Sequence, residues 1–220
     1  MRTLSLVVPV YNAPELAARA RAAVPELART ASECGFELVE TLFVDDGSDS
    51  PLEGAELRNP ENRGKGYSVR RGALAAKGEW VLMSDVDMSA PFREFAHLAE
   101  RSDAWMVCGS RWGRPGMPWR RRVLSRMFGV CVRLAGVRGL RDTQCGFKLF
   151  RMEAMRPVFE AQRVERFAFD VELILRVQRA GGTVAEVPIE WRGGGRSSLS
   201  VVRDAPRMLW DLLRIRARNG

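Results

Sequence analysis

The sequence predicts an α/β fold: one domain built on a mainly parallel, twisted sheet with helices on both faces. Apolar, β-rich runs alternate with segments of helical spacing through the first half of the 220-residue chain. Each of these runs ends in a polar cluster, and ligands bind such sheets beyond the carboxyl ends of the strands. A chain of this length can also bury a substantial core as a single unit.

The first half predicts three strands and two helices in strict alternation. In chain order they are a strand at 4–10, a helix at 14–32, a strand at 36–44, a helix at 67–77 and a strand at 79–84. A turn at 59–66 precedes the second helix. The order strand, helix, strand indicates parallel pairing, because each helix provides the crossover between neighbouring strands.

The second half is less regular and more basic. Its predicted elements are a strand at 104–109, a basic loop at 111–122, an amphipathic basic helix at 119–137, a helix at 170–179, a strand at 183–191, a Gly/Ser-rich loop at 193–198 and a basic helix at 201–218. On the helix at 119–137, arginines share one face and apolar residues share another. Such a helix packs on a sheet or lies on an anionic surface.

Composition limits the possible classes of protein. The chain is 46% hydrophobic and 28% charged, and no window approaches the ~20 apolar residues that a membrane helix needs. The apolar run at 4–8 is too short for a secretory signal. Four scattered cysteines and one histidine offer little for zinc binding or histidine catalysis, so a reducing cytoplasm is expected. The net charge of +8 predicts an anionic partner: phosphorylated substrate, acidic lipid or nucleic acid.

Two acids spaced i, i+2 follow the apolar run at 79–84. In an extended chain Asp85 and Asp87 point the same way, with Ser89 next in line. Oxygen ligands of this kind suit Mg²⁺ or Mn²⁺, with substrate phosphates completing the coordination. The alternative interpretation is a solvated acidic turn before a helix that begins near Pro91.

Other nucleotide-binding motifs do not fit this chain. The turn after the first strand has no glycine, and the glycines at 64–66 lack the third glycine of a dinucleotide fingerprint. The G-x-x-x-x-G-K-[ST] spacing of a P-loop is also missing. Both classes of site are therefore excluded.

Four clusters together resemble the family 2 glycosyltransferases. They are V-P-V-Y-N at 8–12, D-D-G-S at 45–48, N-R-G-K-G at 62–66 and D-V-D at 85–87, in the order that the family has them. The resemblance implies a GT-A fold, a nucleotide-diphosphate sugar as donor and a D-x-D site for Mg²⁺ or Mn²⁺. It divides the single domain into a nucleotide-sugar-binding half at 1–90, an acceptor half at 91–199 and a basic amphipathic C-terminal helix at 200–220.

Motifs in the second half narrow the resemblance. The segments 109–111, 125–126, 142–148 and 166–172 resemble enzymes that place one hexose on a polyprenyl or dolichyl phosphate. The form D-T-Q-C-G-F-K at 142–148 is most like that of the dolichyl-phosphate glucosyltransferases, which favours glucose over mannose and UDP-glucose as donor. The Q-x-x-R-W motif of processive relatives is absent, and Met88-Ser89 after the D-x-D lacks the usual third metal contact.

The resemblance assigns roles residue by residue. Donor-binding residues are Pro9, Tyr11 and Glu15 at the base, Asp46 at the base or ribose, Lys65 near the donor, and Asp85. The predicted metal ligands are Asp85 and Asp87. The predicted catalytic residues are Asp87, Arg111, Arg126 and Asp170, and the two arginines among them bind the acceptor phosphate. The implied reaction is a single inverting displacement.

Several alternatives stay open at this point. Arg111 and Arg126 are also compatible with solvated faces, and Asp142 with Lys148 is compatible with an internal ion pair. A second enzyme hypothesis is transfer to a hydroxyl of a glycan or small molecule with Asp170 as base. A third hypothesis, an Arg-rich nucleic-acid-binding domain, lacks a recognised motif, and no nucleic acid is expected as a partner.

A lipid acceptor and a chain without a spanning segment imply contact with a membrane surface. The expected location is therefore the cytoplasmic face of a membrane, held peripherally through anionic lipid. The sequence does not indicate an oligomeric state.

Overall fold

A computed structural model describes residues 1–111, 129–130 and 132–192 of the chain. Its centre is a seven-stranded sheet with the strand order β3-β2-β1-β4-β6-β5-β7. The strands are β1 (Arg2–Val10), β2 (Phe36–Asp45), β3 (Leu57–Arg58), β4 (Trp80–Ser84), β5 (Met106–Ser110), β6 (Phe147–Arg151) and β7 (Val184–Pro188). The predicted α/β class with a mostly parallel sheet is confirmed.

Five α-helices lie wholly within these residues, and residues 129–130 and 132–134 are also helical. The five are α1 (Pro14–Glu33), α2 (Lys65–Ala75), α3 (Phe95–Ala99), α4 (Met152–Glu160) and α5 (Phe169–Arg179), and a 3-10 turn at Phe92–Glu94 precedes α3. Pro14 opens α1 at the first helical position, where its missing N–H costs no hydrogen bond. None of the helices in the described ranges is long and apolar enough to cross a membrane.

The core lies on both faces of the sheet because the central strands are apolar on both sides. In β1, Leu4, Leu6 and Val8 pack with α1 and α3, whereas Val7 packs on the opposite face with α2 and α5. Strands buried on both faces read as continuous apolar runs. This explains why β1 and β4 show no alternation of polar and apolar residues.

The three parallel strands β2, β1 and β4 lie side by side, with their carboxyl ends at one edge of the sheet. That arrangement brings the segments after Val10, Asp45 and Ser84 together, as predicted from the alternation of strands and helices. The polar clusters of the first half therefore share one surface.

The second half departs from a purely parallel sheet. Strand β6, which was not predicted, runs antiparallel to both β4 and β5, with Ser84 opposite Phe147. Helix α4 and the two-residue strand β3 were also not predicted. Because β6 is reversed, its amino end reaches the same edge at which β4 ends, and Gly146 arrives beside Asp85.

Some predicted segments lie outside the described residues. They are most of the basic helix at 119–137, the Gly/Ser-rich loop at 193–198 and the C-terminal helix at 201–218. Their predicted structures stay predictions.

Candidate active site

The two acids of the D-x-D follow β4 in a tight turn. Met88 donates its N–H to the Asp85 carbonyl at 3.1 Å, and Met88 has a left-handed φ of 50°. Ser89 donates its N–H to Asp87 Oδ1 at 2.9 Å. The prediction that Asp85, Asp87 and Ser89 lie on an extended chain, and point the same way for that reason, is therefore wrong, because the strand ends at Ser84. A turn closed by backbone hydrogen bonds places the two carboxylates instead.

Gly146 fixes the start of this turn from the neighbouring strand. Asp85 donates its N–H to the Gly146 carbonyl at 2.9 Å, and a Cβ on Gly146 would overlap the Asp85 carboxylate. The glycine is required for this close approach rather than for a turn. It is a residue of the site that the sequence alone did not single out.

Lys65 lies directly against the D-x-D. Its Nζ is 2.6 Å from Asp85 Oδ1, and both side chains are partly exposed. Lys65 is the first residue of α2 and follows Gly64, whose φ is 109°. The structure thus pairs Lys65 with Asp85, and the predicted position of Lys65 near the donor stays a prediction.

Both acids of the D-D-G-S segment are buried, and each one holds a different loop. Asp45 is fully buried and accepts hydrogen bonds from Ser48 N, Leu52 N and the Arg58 guanidinium at 2.6 Å. Burial raises the pKa of Asp45, but these donors outweigh it and hold the pKa below its usual range. Asp45 thus ties the end of β2 to the following loop.

Asp46 holds the loop that leads into α2. Its Oδ1 accepts hydrogen bonds from Asn59 Nδ2 at 2.7 Å and Arg63 N at 3.1 Å, and its Oδ2 accepts from Gly64 N at 2.8 Å. The side chain therefore positions Lys65 through the backbone before it. Its predicted contact with a nucleoside stays a prediction.

The three residues predicted at the base lie near the end of β1. Pro9 is buried within the strand, while Tyr11, 47% exposed, and Glu15 on the first turn of α1 face solvent. Between them Asn12 adopts a φ of 49° and donates its N–H to Ser48 Oγ at 2.9 Å. This bond joins the ends of β1 and β2, so an exposed aromatic ring stands beside the acidic edge.

Arg111 is bound bidentately by Asp142, with Nε to Oδ2 at 2.7 Å and Nη2 to Oδ1 at 2.8 Å. The guanidinium also lies 5.1 Å from the centre of the Trp191 ring. Burial alone lowers the pKa of Arg111, but the Asp142 carboxylate more than reverses this effect and keeps the guanidinium charged. The same pairing holds the pKa of Asp142 below its usual range despite burial.

Glu186 supports this pair from β7. Its Oε1 accepts the Asp142 N–H at 2.8 Å and the Ser110 hydroxyl at 2.6 Å, and its Oε2 accepts the Arg141 N–H at 2.8 Å. Sequence reasoning missed Glu186, because no motif surrounds it. Its only signal is an acid within an otherwise apolar strand.

Lys148 and Asp170 form a buried ion pair with Nζ 2.8 Å from Oδ1. The interpretation of Asp142 and Lys148 as mutual partners is therefore wrong: Asp142 pairs with Arg111, and Lys148 pairs with Asp170. Lys148 also donates to the Cys145 carbonyl. Burial raises the pKa of Asp170, and the Lys148 ammonium opposes that rise.

The nearby thiols are inert. Burial raises the pKa values of Cys108 and Cys145 to about 12, so both are neutral at physiological pH. They act as small core residues.

The donor atoms at the D-x-D fit a hard divalent cation. Asp85 and Asp87 contribute carboxylate oxygens, and the Asp85 carboxylate already binds a cationic group, the ammonium of Lys65. Within the described ranges no cluster of three or more His, Cys, Asp or Glu could enclose a metal ion. Two protein carboxylates with substrate phosphates and water are the usual set for Mg²⁺, so the arrangement fits a cation shared with a substrate.

Arg126 lies outside the described residues, so its position relative to Arg111 stays a prediction. The remaining predicted residues lie along one edge of the sheet. Their elements meet there because β6 runs antiparallel between β4 and β5.

Three kinds of comparison agree on what this chain resembles. The model of the family described as "Glycosyl transferase family 2" matches residues 5–159. The chain is 32% identical to a dolichyl-phosphate beta-glucosyltransferase of Dictyostelium discoideum, covering 98% of this chain and 74% of that protein. It is 34% identical to the dolichyl-phosphate beta-glucosyltransferase of Mus musculus, covering 99% of this chain and 76% of that protein.

Solved structures share the architecture at lower identity. The glucosyl-3-phosphoglycerate synthase of Mycobacterium tuberculosis in complex with UDP aligns with a TM-score of 0.69 and 18% identity over 98% of this chain and 80% of that one. The mannosyl-3-phosphoglycerate synthase of Rubrobacter xylanophilus aligns with a TM-score of 0.68 and 18% identity over 99% of this chain and 73% of that one. The fold is therefore GT-A. The chain belongs to glycosyl transferase family 2 and is a glycosyltransferase.

Proposed function

We propose that the protein transfers one glucose from UDP-glucose to a polyprenyl or dolichyl phosphate, with inversion and without processive elongation. One observation supports this above all: proteins named dolichyl-phosphate beta-glucosyltransferase are 32–34% identical to this chain over 98–99% of its length. The similarity includes the acceptor half as well as the donor half. Mannose is the next candidate sugar, and GDP-mannose would then be the donor.

The donor binds at the edge formed by β1, β2 and β4. Tyr11 and Glu15 are solvent-accessible beside the end of β1 and can contact a base, while Pro9 shapes the floor beneath them. Asp46 sets the position of Lys65 by binding the loop before α2. Lys65 then lies where it can reach the diphosphate, since it already lies against the D-x-D.

Asp85 and Asp87 would hold Mg²⁺ or Mn²⁺ in this proposal. When bound at these carboxylates, such an ion would offset the negative charge that develops on the departing nucleoside diphosphate. Asp85 is prepared for this by its hydrogen bond to Gly146, and Asp87 by its hydrogen bond from Ser89. The Asp87 carboxylate and the Asp85 main chain are therefore held by backbone hydrogen bonds before the donor arrives, and Lys65 holds the Asp85 carboxylate.

The acceptor phosphate supplies the nucleophile. Its second pKa is near 6, so at neutral pH it is largely a dianion and attacks the anomeric carbon without a general base. One phosphate oxygen forms the new bond to that carbon as the bond to the diphosphate oxygen breaks, and no proton has to move. Arg111, fixed by Asp142, and Arg126 are the proposed phosphate-binding groups, because a guanidinium matches phosphate oxygens bidentately.

The structure gives no support to the hydroxyl acceptor. That reaction needs Asp170 as a base, but Asp170 is 2% exposed and paired with Lys148. A carboxylate in that position cannot reach a substrate hydroxyl without breaking a buried ion pair. The burial of Asp170 therefore favours the phosphate acceptor and gives Asp170 a positioning role.

A lipid acceptor requires contact with a membrane surface. We propose peripheral binding to anionic lipid through the basic segments at 119–137 and 201–218. At the end of the first segment Val132, Ala135 and Val137 are buried in the core, whereas Val130 and Leu134 are exposed. Arg120→Glu combined with Arg121→Glu should reduce salt-sensitive co-sedimentation with anionic vesicles. Co-sedimentation that ignores these charge reversals would contradict peripheral binding through 119–137.

The decisive experiment is a transfer assay with two labelled donors. The protein is incubated with UDP-[¹⁴C]glucose or GDP-[¹⁴C]mannose and a short-chain polyprenyl phosphate, and the label in the organic phase is counted. Label from glucose should enter the lipid phase, and a non-phosphorylated polyprenol should accept none. Transfer only to water-soluble acceptors would overturn the proposed acceptor, and transfer only from GDP-mannose would overturn the proposed sugar.

A further inference from the structure

Lys65 occupies a position that a divalent cation would also need. Its ammonium nitrogen is 2.6 Å from Asp85 Oδ1, with the Lys65 side chain 18% exposed and the Asp85 side chain 30% exposed. The contact is thus neither fully buried nor freely solvated. An ion pair of this exposure can change partners when a competing charge arrives.

Both partners are held by their backbones, so the contact does not depend on flexible loops. Gly64 and Gly66, which flank Lys65, pack so closely on the segment at 165–169 that neither has room for a Cβ. On the other side Asp85 donates its N–H to Gly146, whose missing side chain leaves room for the carboxylate. The fold therefore presents the lysine to the carboxylate with little freedom left in either main chain.

The Asp85 carboxylate lies near a second acid, Asp170. Burial is the main cause that raises the pKa of Asp170, and the negative charge of Asp85 adds to that rise. Lys148 neutralises Asp170, and Lys65 neutralises Asp85. These four residues therefore form two ion pairs, and removal of one lysine leaves one carboxylate without its cationic partner.

We propose that Lys65 is an internal substitute for the divalent cation: it holds Asp85 in the donor-free enzyme and gives up this carboxylate when metal and nucleotide bind together. This inference depends on the proposed function, because it assumes that Asp85 is a metal ligand. Lys65 is then a positioning residue that controls the order in which ligands are bound. The Lys65 ammonium, once released, finds a new partner in the diphosphate oxygens of the donor.

Replacement of the Lys65 ammonium by a metal ion at Asp85 affects how tightly the metal binds. In the donor-free enzyme a metal ion must displace the Lys65 ammonium from Asp85 and remain close to a like charge. When a diphosphate is present, its oxygens attract both cations, so this cost falls. Metal and nucleotide should therefore strengthen each other's binding by the same factor, as thermodynamic linkage requires.

The test measures binding rather than turnover. Mn²⁺ is titrated into the 220-residue chain with and without UDP, and free Mn²⁺ is followed by electron paramagnetic resonance. Lys65→Met and Lys65→Gln remove the competing charge; Lys77→Met removes the same charge from an exposed position in the loop after α2. Thermal unfolding confirms that each variant is folded.

We expect both Lys65 variants to bind Mn²⁺ about tenfold more tightly than the wild type without UDP. The gain should disappear with UDP, so that the coupling between Mn²⁺ and UDP falls by about the same factor. Lys77→Met should match the wild type in both conditions. An unchanged or weaker Mn²⁺ affinity in the donor-free Lys65 variants, or an equal gain in Lys77→Met, would overturn the inference.

Failure of the inference can be told apart from failure of the proposed function. If the wild type binds Mn²⁺ with UDP but the Lys65 variants show no donor-free gain, Lys65 does not compete with metal and the glycosyltransferase proposal stands. If the wild type binds no Mn²⁺ even with UDP, the metal requirement of the proposed function and this inference are both wrong.

Discussion

The ion pairs on the two sides of the sheet edge differ in how deeply they are buried. On the proposed donor side, at the ends of β1, β2 and β4, the Lys65–Asp85 pair is partly exposed. On the proposed acceptor side, around β5, β6 and β7, the Lys148–Asp170 pair is buried, with side-chain exposures of 0% and 3%. The Arg111–Asp142 pair is intermediate in burial, with side-chain exposures of 25% and 11%.

The difference indicates which charges can change partners. A partly exposed pair loses little when it opens, because water can replace each partner. A buried pair cannot open without leaving a desolvated charge, which costs several kcal/mol. We therefore interpret the donor side as the place where ions are exchanged, and the buried pair behind it as a fixed support.

The largest expected effect comes from breaking the buried pair. Lys148→Met should lower the free energy of unfolding by about 3–5 kcal/mol, because it strands the Asp170 carboxylate in the core. Lys65→Met should cost about 1 kcal/mol or less, since its partner stays in contact with water. Urea unfolding at neutral pH measures both.

A double variant sharpens this comparison. Lys148→Met with Asp170→Leu removes both charges and should recover much of the loss. Equal destabilisation by Lys148→Met and Lys65→Met would show that the two pairs do not differ in the way that their burial indicates.

The second prediction concerns the D-x-D. Asp87→Asn should lower kcat by about 10²–10³-fold, because the amide no longer supplies a charged oxygen to the metal that stabilises the leaving group. Excess EDTA should abolish transfer by the wild type, and added Mn²⁺ should restore it. Asp103→Asn, an exposed acid paired only with Arg101 among the contacts described, serves as the matched control. Full activity of Asp87→Asn or in EDTA would contradict metal dependence.

The third prediction separates acceptor from donor. Arg111→Ala should lower kcat/KM for polyprenyl phosphate by about 10–100-fold, the equivalent of one or two hydrogen bonds to a charged group, while UDP affinity changes less than twofold. Asp142→Asn should show a smaller loss of the same kind, because it loosens Arg111 without removing it.

Steady-state kinetics and calorimetry measure the two quantities, with Arg101→Ala as the charge-matched control. Equal losses in acceptor use and UDP affinity would place Arg111 outside the acceptor site.

The smallest expected effect is the pH dependence of the stability that Asp45 contributes at the end of β2. The folded-state pKa of Asp45 lies below its unfolded value, so its ionised form contributes stability above pH ~4 and loses it as the pH falls through the folded pKa. Asp45→Asn should therefore lower the free energy of unfolding by about 1–2 kcal/mol at pH 7, and the difference should shrink towards pH 3. A difference that is independent of pH between 7 and 3 would rule out this role of the Asp45 charge.

The sequence by itself determined the donor side. Strands β1, β2 and β4 are continuous apolar runs joined through helices, so local composition was enough to predict their order of appearance, their parallel pairing and the common edge at which they end. The D-x-D and the motifs at 8–12, 45–48 and 62–66 lie at that edge for the same reason. Strand boundaries and local motifs are properties of short segments, and the periodicity of apolar residues within such segments is enough to predict them.

Only the tertiary structure decided which charges meet. Asp142 lies 31 residues from Arg111 and Lys148 lies 22 residues from Asp170, so no spacing in the sequence distinguishes these pairs from the incorrect pair of Asp142 with Lys148. The position of β6 between β4 and β5 decides which residues pair, because its antiparallel register places Gly146 against Asp85 and directs Lys148 into the core. Strand register depends on packing across the whole sheet, and a residue's ion-pair partner depends on that register.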